Sequence, residues 1–194
     1  MSDILQRILE VKAAEVAQAR AIRSIADLES AARQTCAPGQ ALAPRGFAQS
    51  LRARTASGKP AVIAEVKRAS PSRGVFPVEV VPADVARAYI EGGASAISVL
   101  TDEPFFHGSL SDLDAVAAVA HAGPKATPVL RKDFMVDTYQ VIEARAHGAD
   151  AILLIMAALS DDDVVLLRDD ARRQGMDSLV EVHNEEEMAR ALAL

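Results

Sequence analysis

Glu65, Lys67, Lys132 and Glu181 all stand at the ends of apolar segments, where acid–base chemistry could be done. The first segment reads Ala61-Val62-Ile63-Ala64-Glu65-Val66-Lys67. Alternate residues of a strand share a face, so Ala61, Ile63, Glu65 and Lys67 lie together and Val62, Ala64 and Val66 lie opposite. That first face begins apolar and ends in a carboxylate and an ammonium. It suits a core opening into a polar site, or equally an ion pair that seals the core. A later segment ends Leu130-Arg131-Lys132-Asp133-Phe134, with Lys132 on the face of Leu130 and Phe134, and Arg131 and Asp133 on the other. A desolvated lysine there would have a depressed pKa and could serve as general acid or amine nucleophile. The plainer alternative is a rim lysine paired with an acid. In Ser178-Leu179-Val180-Glu181-Val182-His183, Glu181 shares its face with Leu179. A carboxylate in that position is paired or functional, because burying it alone costs too much. Acids and amines gathered at one mouth move each other's pKa values apart and can divide acid and base roles.

Other chemistries find less support. His107, His121, His147 and His183 have no metal-ligand spacing, and a metal needs several clustered ligands, so no metal is expected. His121 and His147 fall near predicted helix C-termini, where dipole and packing roles are common. Ser160-Asp161-Asp162-Asp163 reads as a helix start capped by Ser160. No Gly-x-Ser-x-Gly elbow and no Gly-x-Gly-x-x-Gly turn occurs, which argues against a serine hydrolase and a dinucleotide-binding fold.

The positioning elements follow from periodicity. Val/Ile/Leu-rich runs occur at Ala61–Val66, Ala96–Leu100, Thr127–Leu130, Ala151–Ile155 and Leu179–Val182, with starts 35, 31, 24 and 28 residues apart. Helical patterns near 82–92, 111–121, 137–147 and 160–174 separate them. Runs apolar on both faces, alternating with helices, predict an α/β fold with a parallel sheet. Glu91-Gly92-Gly93-Ala94-Ser95-Ala96-Ile97 echoes Ala146-His147-Gly148-Ala149-Asp150-Ala151-Ile152 at an offset of 55 residues. Each is a glycine-capped helix end leading into a buried strand. This repetition favours a (β/α)8 TIM barrel over a doubly wound sheet. A last helix is expected after Asn184, with Glu187 completing a capping box. Only five strands are read, so the barrel is expected to be truncated after about five βα units.

Ahead of the barrel, residues 3–22 form an amphipathic helix with Ile4, Leu5, Ile8, Leu9 and Val11 on its apolar stripe and Arg7, Glu10 and Lys12 off the stripe's centre. A second helix is expected near 24–33, then loops at Cys36-Ala37-Pro38-Gly39 and Ala43-Pro44-Arg45-Gly46. The expected division is a helical extension over 1–58 and a partial barrel over 59–194.

Of 194 residues, half are hydrophobic, and 21 Lys and Arg against 27 Asp and Glu give a net charge of −6. The chain therefore reads as globular and not disordered. Its longest clean apolar run, 151–159, has nine residues, about half of a spanning helix, so no membrane partner is expected. An acidic balance without a basic stripe, and aromatics at 4%, argue against nucleic acid. The single cysteine and the lack of a secretory leader suit a reducing cytoplasm.

At the strand ends the chain resembles the indole-3-glycerol-phosphate synthase family. Ile63-Ala64-Glu65-Val66-Lys67-Arg68-Ala69-Ser70-Pro71-Ser72-Arg73-Gly74 is similar to that family's first strand and loop. Ile97-Ser98-Val99-Leu100-Thr101-Asp102 with Phe105-Phe106-His107-Gly108-Ser109, then Pro128 to Phe134, Gly148 to Ile155 and Leu179 to His183, resemble the next four strands in order. Ile4 to Val16 resembles its extra N-terminal helix. The resemblance implies ring closure, decarboxylation and dehydration of 1-(2-carboxyphenylamino)-1-deoxyribulose 5-phosphate, without metal or organic cofactor. It implies Lys132 as general acid, Glu181 as general base, Glu65 as a positioning group and Lys67 at the phosphate. Ser70 and Pro71 would belong to a mobile loop, and Phe106, Phe134 and Leu153 would line the slot for the anthranilate ring. It leaves open a fused or associated tryptophan-pathway domain. The family's Asn-rich, Glu-Ser-Gly and Gly-rich phosphate motifs are not found here, so little or no turnover is expected of the chain alone. Two other readings stand beside it: a phosphosugar enzyme using Lys132 as a Schiff base, and a non-enzymatic open half-barrel that associates with a complementing segment.

Overall fold

The computed structural model describes residues 3–36, 39–122 and 126–194. Ala37 and Pro38, in the first expected loop, lie outside the described residues. Three helices come first: α1 (Asp3–Ile22), α2 (Ile25–Thr35) and α3 (Phe47–Ala56). Ser24 starts α2 with a capping box, its hydroxyl accepting from the Asp27 N–H while the Asp27 carboxylate accepts from the Ser24 N–H. Helix α1 buries Ile8, Lys12 and Val16, spaced four apart on one face. Lys12 is therefore not off the packing face as its charge suggested. Its ammonium is buried because Glu15, Asp102 and Asp133 surround it. Helix α3 was not expected from the Pro/Gly-rich sequence before it.

Then follow β1 (Ile63–Val66), a small antiparallel hairpin of β2 (Ala69–Ser70) and β3 (Gly74–Val75), and α4 (Pro82–Glu91). The rest of the chain alternates: β4 (Ala96–Leu100), α5 (Glu103–Phe106), α6 (Leu110–Ala122), β5 (Val129–Lys132), α7 (Thr138–Ala146), β6 (Ala151–Ile155), α8 (Asp161–Arg173), β7 (Asp177–Glu181) and α9 (Glu185–Ala193). One parallel sheet of five strands runs β1-β4-β5-β6-β7, in chain order. Pro82 at the start of α4, Asp137 before α7, Ser160 before α8 and Asn184 before α9 fix the helix starts. In α9 the Glu187 carboxylate reaches the N–H of His183, one residue earlier than a standard capping box would use. Among the described residues no helix is long and apolar enough to cross a membrane.

The repeated glycine turns have the same geometry. Gly93 and Gly148 both adopt φ +84°, and in each turn the next N–H returns to a carbonyl in the last helical turn, Ala94 to Tyr89 and Ala149 to Ala144. Strand β5 starts two residues later than expected, because the Thr127 N–H bonds Ala120 at the end of α6 and not a neighbouring strand. Strand β7 begins earlier, at Asp177, whose N–H donates to the Asp150 carbonyl.

Alternation divides the sheet. Ile97, Val99, Val129, Ile152 and Leu154 pack against Leu113, Val116, Val141, Val164 and Leu167 of the covering helices. Each such side chain, fully buried, contributes roughly 1.5–3 kcal/mol. On the other face, Ala96, Leu130 and Ala151 pack on Phe47, with Leu51 and Leu179 beside them. Helix α3 thus stoppers the strand-start end of the inner face. Carboxylates at the strand starts hold it there: Asp177 accepts the Ala48 N–H at 2.9 Å and Asp150 the Arg45 N–H at 2.7 Å. Asp150 also accepts from Val129 N–H at 2.8 Å and from His121 Nε2 at 2.7 Å, with the Arg145 guanidinium 3.5 Å away. Near this seam the buried Cys36 thiol donates to the Arg145 carbonyl at 3.1 Å, tying the end of α2 to α7.

Candidate active site

The inner face changes character towards the strand ends. Past Leu130 and Ala151, its next positions carry Leu100, Lys132, Leu153, Ile155 and Glu181, which together with Phe106, Phe134, Asp102 and Asp133 line a cavity of about 170 Å³. Lys132 and Glu181 therefore face the same side of the sheet. The Lys132 ammonium donates to Glu65 at 2.8 Å, across from β5 to β1, and both side chains are 33% exposed. Lys132 is thus paired with an acid at the rim and at the same time lines the cavity. Such a pair keeps an N–H free to face the cavity, since an ammonium has three donors.

Lys67 sits 3.9 Å from the other Glu65 oxygen, and its Nζ lies 5.7 Å from the Phe106 ring centre and 5.9 Å from that of Phe76. Both are within reach of cation–π attraction. Phe106 and Phe134 approach at 6.1 Å between centroids with a 40° tilt, leaving apolar surface beside Lys132. Glu181 is met by His183 Nε2 at 3.2 Å, while His183 Nδ1 lies 3.4 Å from Glu187. The His183 backbone N–H, followed by its ring and Asn184, holds the Glu187 carboxyl below its ordinary value despite partial desolvation.

Ser70 and Pro71 are not brought to this cavity. They sit in the β2–β3 hairpin, Ser70 buried and Pro71 exposed. Arg68 anchors the hairpin's base through an ion pair with Asp112 and a bond to the Val80 carbonyl at 3.2 Å. Beside the hairpin, α5 is only one turn long and owes its place to its two ends. Asp102 caps it by accepting the Phe105 N–H at 2.9 Å. His107 closes it with φ 55°, and Gly108 follows where an added Cβ would stand 2.1 Å from the Leu100 carbonyl oxygen. Only glycine admits that approach of the loop to β4.

Behind the cavity lies a buried charge network. Arg131 bonds Glu143 at 2.8 Å, Asp133 at 3.1 Å and the Thr101 hydroxyl at 3.2 Å. Burial opposes the charge on Arg131, Asp133 and Lys12 alike, but their partners outweigh it. Asp133 is lowered by Arg131 and Lys12, Arg131 is raised by Asp133 and Glu143, and Lys12 is raised by Asp133, Glu15 and Asp102. Sequence reasoning missed Lys12, Asp102, Asp133, Phe76 and His183. Signals existed for two of them: Lys12 keeps the i, i+4 spacing between Ile8 and Val16, and Asp102 stands two residues before Pro104, a helix-start pattern.

A model of the family described as indole-3-glycerol phosphate synthase matches residues 5–194. The chain is 50% identical over 192 residues to a Rhodospirillum rubrum protein named indole-3-glycerol phosphate synthase, covering 99% of this chain and 69% of that one. It is 49% identical over 194 residues to one of the same name from Dechloromonas aromatica, covering 100% of this chain and 70% of the relative.

Proposed function

The chain belongs to the indole-3-glycerol phosphate synthase family, a family of (β/α)8 barrels, and from that premise we propose which side chains carry the reaction. The chemistry is that of a carboxy-lyase in tryptophan biosynthesis. The substrate, 1-(2-carboxyphenylamino)-1-deoxyribulose 5-phosphate, closes a ring, loses CO2 and loses water. Ring closure joins the carboxyl-bearing aromatic carbon to the ribulose carbonyl carbon, and negative charge develops on the carbonyl oxygen. Lys132 neutralises that charge and supplies the proton, and Glu65 holds the ammonium in place at 2.8 Å. Decarboxylation then restores the aromatic ring. In the dehydration Glu181 takes the proton from the ring carbon next to the hydroxyl-bearing one, and that hydroxyl departs as water with a proton from Lys132, which has regained one from solvent. Phe106, Phe134 and Leu153 hold the anthranilate ring, and Lys67 meets the phosphate, with Ser70 and Pro71 in the loop nearby.

The observation that carries this reading is the lining of a single cavity by Lys132, Glu181, Phe106, Phe134 and Leu153 at the strand ends, with Glu65 on Lys132. Family membership favours neither the Schiff-base phosphosugar enzyme nor the non-enzymatic half-barrel. The test is conversion of the substrate followed by indole absorbance in wild type, Lys132→Met and Glu181→Gln, where measurable wild-type turnover would itself overturn the expectation that the chain alone is nearly inactive. Lys132→Met is expected to block ring closure, and Glu181→Gln to slow dehydration. Borohydride treatment with substrate should leave Lys132 unlabelled. A trapped adduct at Lys132 would overturn the acid role.

A further inference from the structure

Lys12 belongs to α1, far in sequence from every strand end, yet only 4% of it is exposed. Its ammonium lies 2.7 Å from Glu15, 2.9 Å from Asp102 and 3.0 Å from Asp133. The last two carboxylates have a second task each. Asp102 accepts the Phe105 N–H and starts the single turn that carries Phe106. Asp133 accepts the Phe134 N–H at 2.8 Å, and its other oxygen takes the Thr101 hydroxyl at 2.7 Å and Arg131. One cation thus joins the anchor of Phe106 to the anchor of Phe134. These are the two rings that stand 6.1 Å apart in the cavity. Asp102 and Asp133 would repel one another without it, in a region where charges are poorly screened.

We propose that Lys12 is a positioning residue for the reaction: by pinning Asp102 and Asp133 together, α1 sets the gap between Phe106 and Phe134 that receives the substrate's anthranilate ring. The inference rests on the reading of those rings as the ring slot.

The test compares Lys12→Met, Lys12→Arg and Phe134→Ala with wild type, measuring KM and kcat for the ribulose phosphate substrate. Amide exchange is followed at Phe105 and Phe134, with Ala151–Ile155 as the internal reference. Lys12→Met is expected to raise KM about tenfold while kcat stays within about threefold, the signature of lost binding and not of lost chemistry. It should speed exchange at Phe105 and Phe134 and leave β6 protected, and Lys12→Arg should restore KM to within about threefold of wild type. An unchanged KM in Lys12→Met, a fall in kcat alone, or loss of protection throughout β6 overturns the proposal, the last by showing a general folding role. Phe134→Ala separates the two ideas. If it raises KM while Lys12→Met does not, only the positioning role fails; if it leaves KM unchanged, the ring slot itself is misassigned and both fall.

Discussion

The two ends of the sheet both carry charged clusters, and they differ in what their partners leave open. At the strand starts, Asp150 is entirely buried and its oxygens are taken by backbone N–H groups, His121 and Arg145. At the strand ends, Glu65 and Lys132 each remain one-third exposed and Glu181 stands at 35%. A closed cluster fixes geometry and has nothing left to offer a ligand. A half-open one holds its own geometry through one pair and keeps donors and acceptors for an incoming molecule. The division agrees with the general use of parallel barrels, where the strand-start face serves stability and the strand-end face serves chemistry.

Substitutions at the two ends should therefore move different observables. Lys132→Met should lower turnover by about 10²- to 10⁴-fold while changing stability by less than about 1 kcal/mol, measured by indole formation and urea unfolding. Asp150→Ala should do the reverse. It removes the acceptor for the buried Arg145 guanidinium, the His121 ring and the Arg45 and Val129 N–H groups, so stability should fall by about 3–5 kcal/mol with turnover per folded molecule unchanged. If Asp150→Ala altered kcat in the folded fraction, the contrast between the two ends would fail.

Acid should reach the network behind the cavity before base does. Burial works against the Asp133 carboxylate, yet Arg131, Lys12 and the Thr101 hydroxyl hold its pKa below the ordinary 3.8. Its contribution to stability is present above 3.8 and is lost as pH falls through the lower folded value. Lys12 is raised, so its contribution is complete below the ordinary 10.5 and is lost only as pH rises through a still higher value. The urea midpoint of wild type should thus drop more steeply below pH 3.8 than that of Asp133→Asn. The smallest effect is expected at the sheet's flank: Val180→Ala, at a side chain 38% exposed, should cost under about 1 kcal/mol, against about 2–5 for Leu154→Ala in the buried centre.

Much of the frame was legible because its signals are local. Strands β4 and β6 match their apolar runs residue for residue, being buried on both faces, and Ser160 and Asn184 mark helix starts by chemistry that needs no tertiary partner. Strands β1 and β7 read just as apolar, yet Ile63 and Val180 are partly exposed, since each of these strands has a neighbour on one side only among the described residues. Helix α3 was hidden because its reason for existing is remote: Phe47 fills the space between Ala96, Leu130 and Ala151. Within the site, Glu65, Lys132 and Glu181 were readable from strand alternation. Lys12 was not, since a lysine on a helix is ordinarily solvated and its burial depends on aspartates about 90 and 121 residues away.

The chain's single sulfhydryl offers a built-in clock. Because Cys36 lies 7% exposed at the floor of a groove between α2 and α7, with its hydrogen on the Arg145 carbonyl, a bulky thiol reagent reacts with it slowly until that seam parts. The rate at which the reagent consumes it would then time the undocking of the N-terminal helices from the barrel wall, without a label having to be introduced anywhere in the protein.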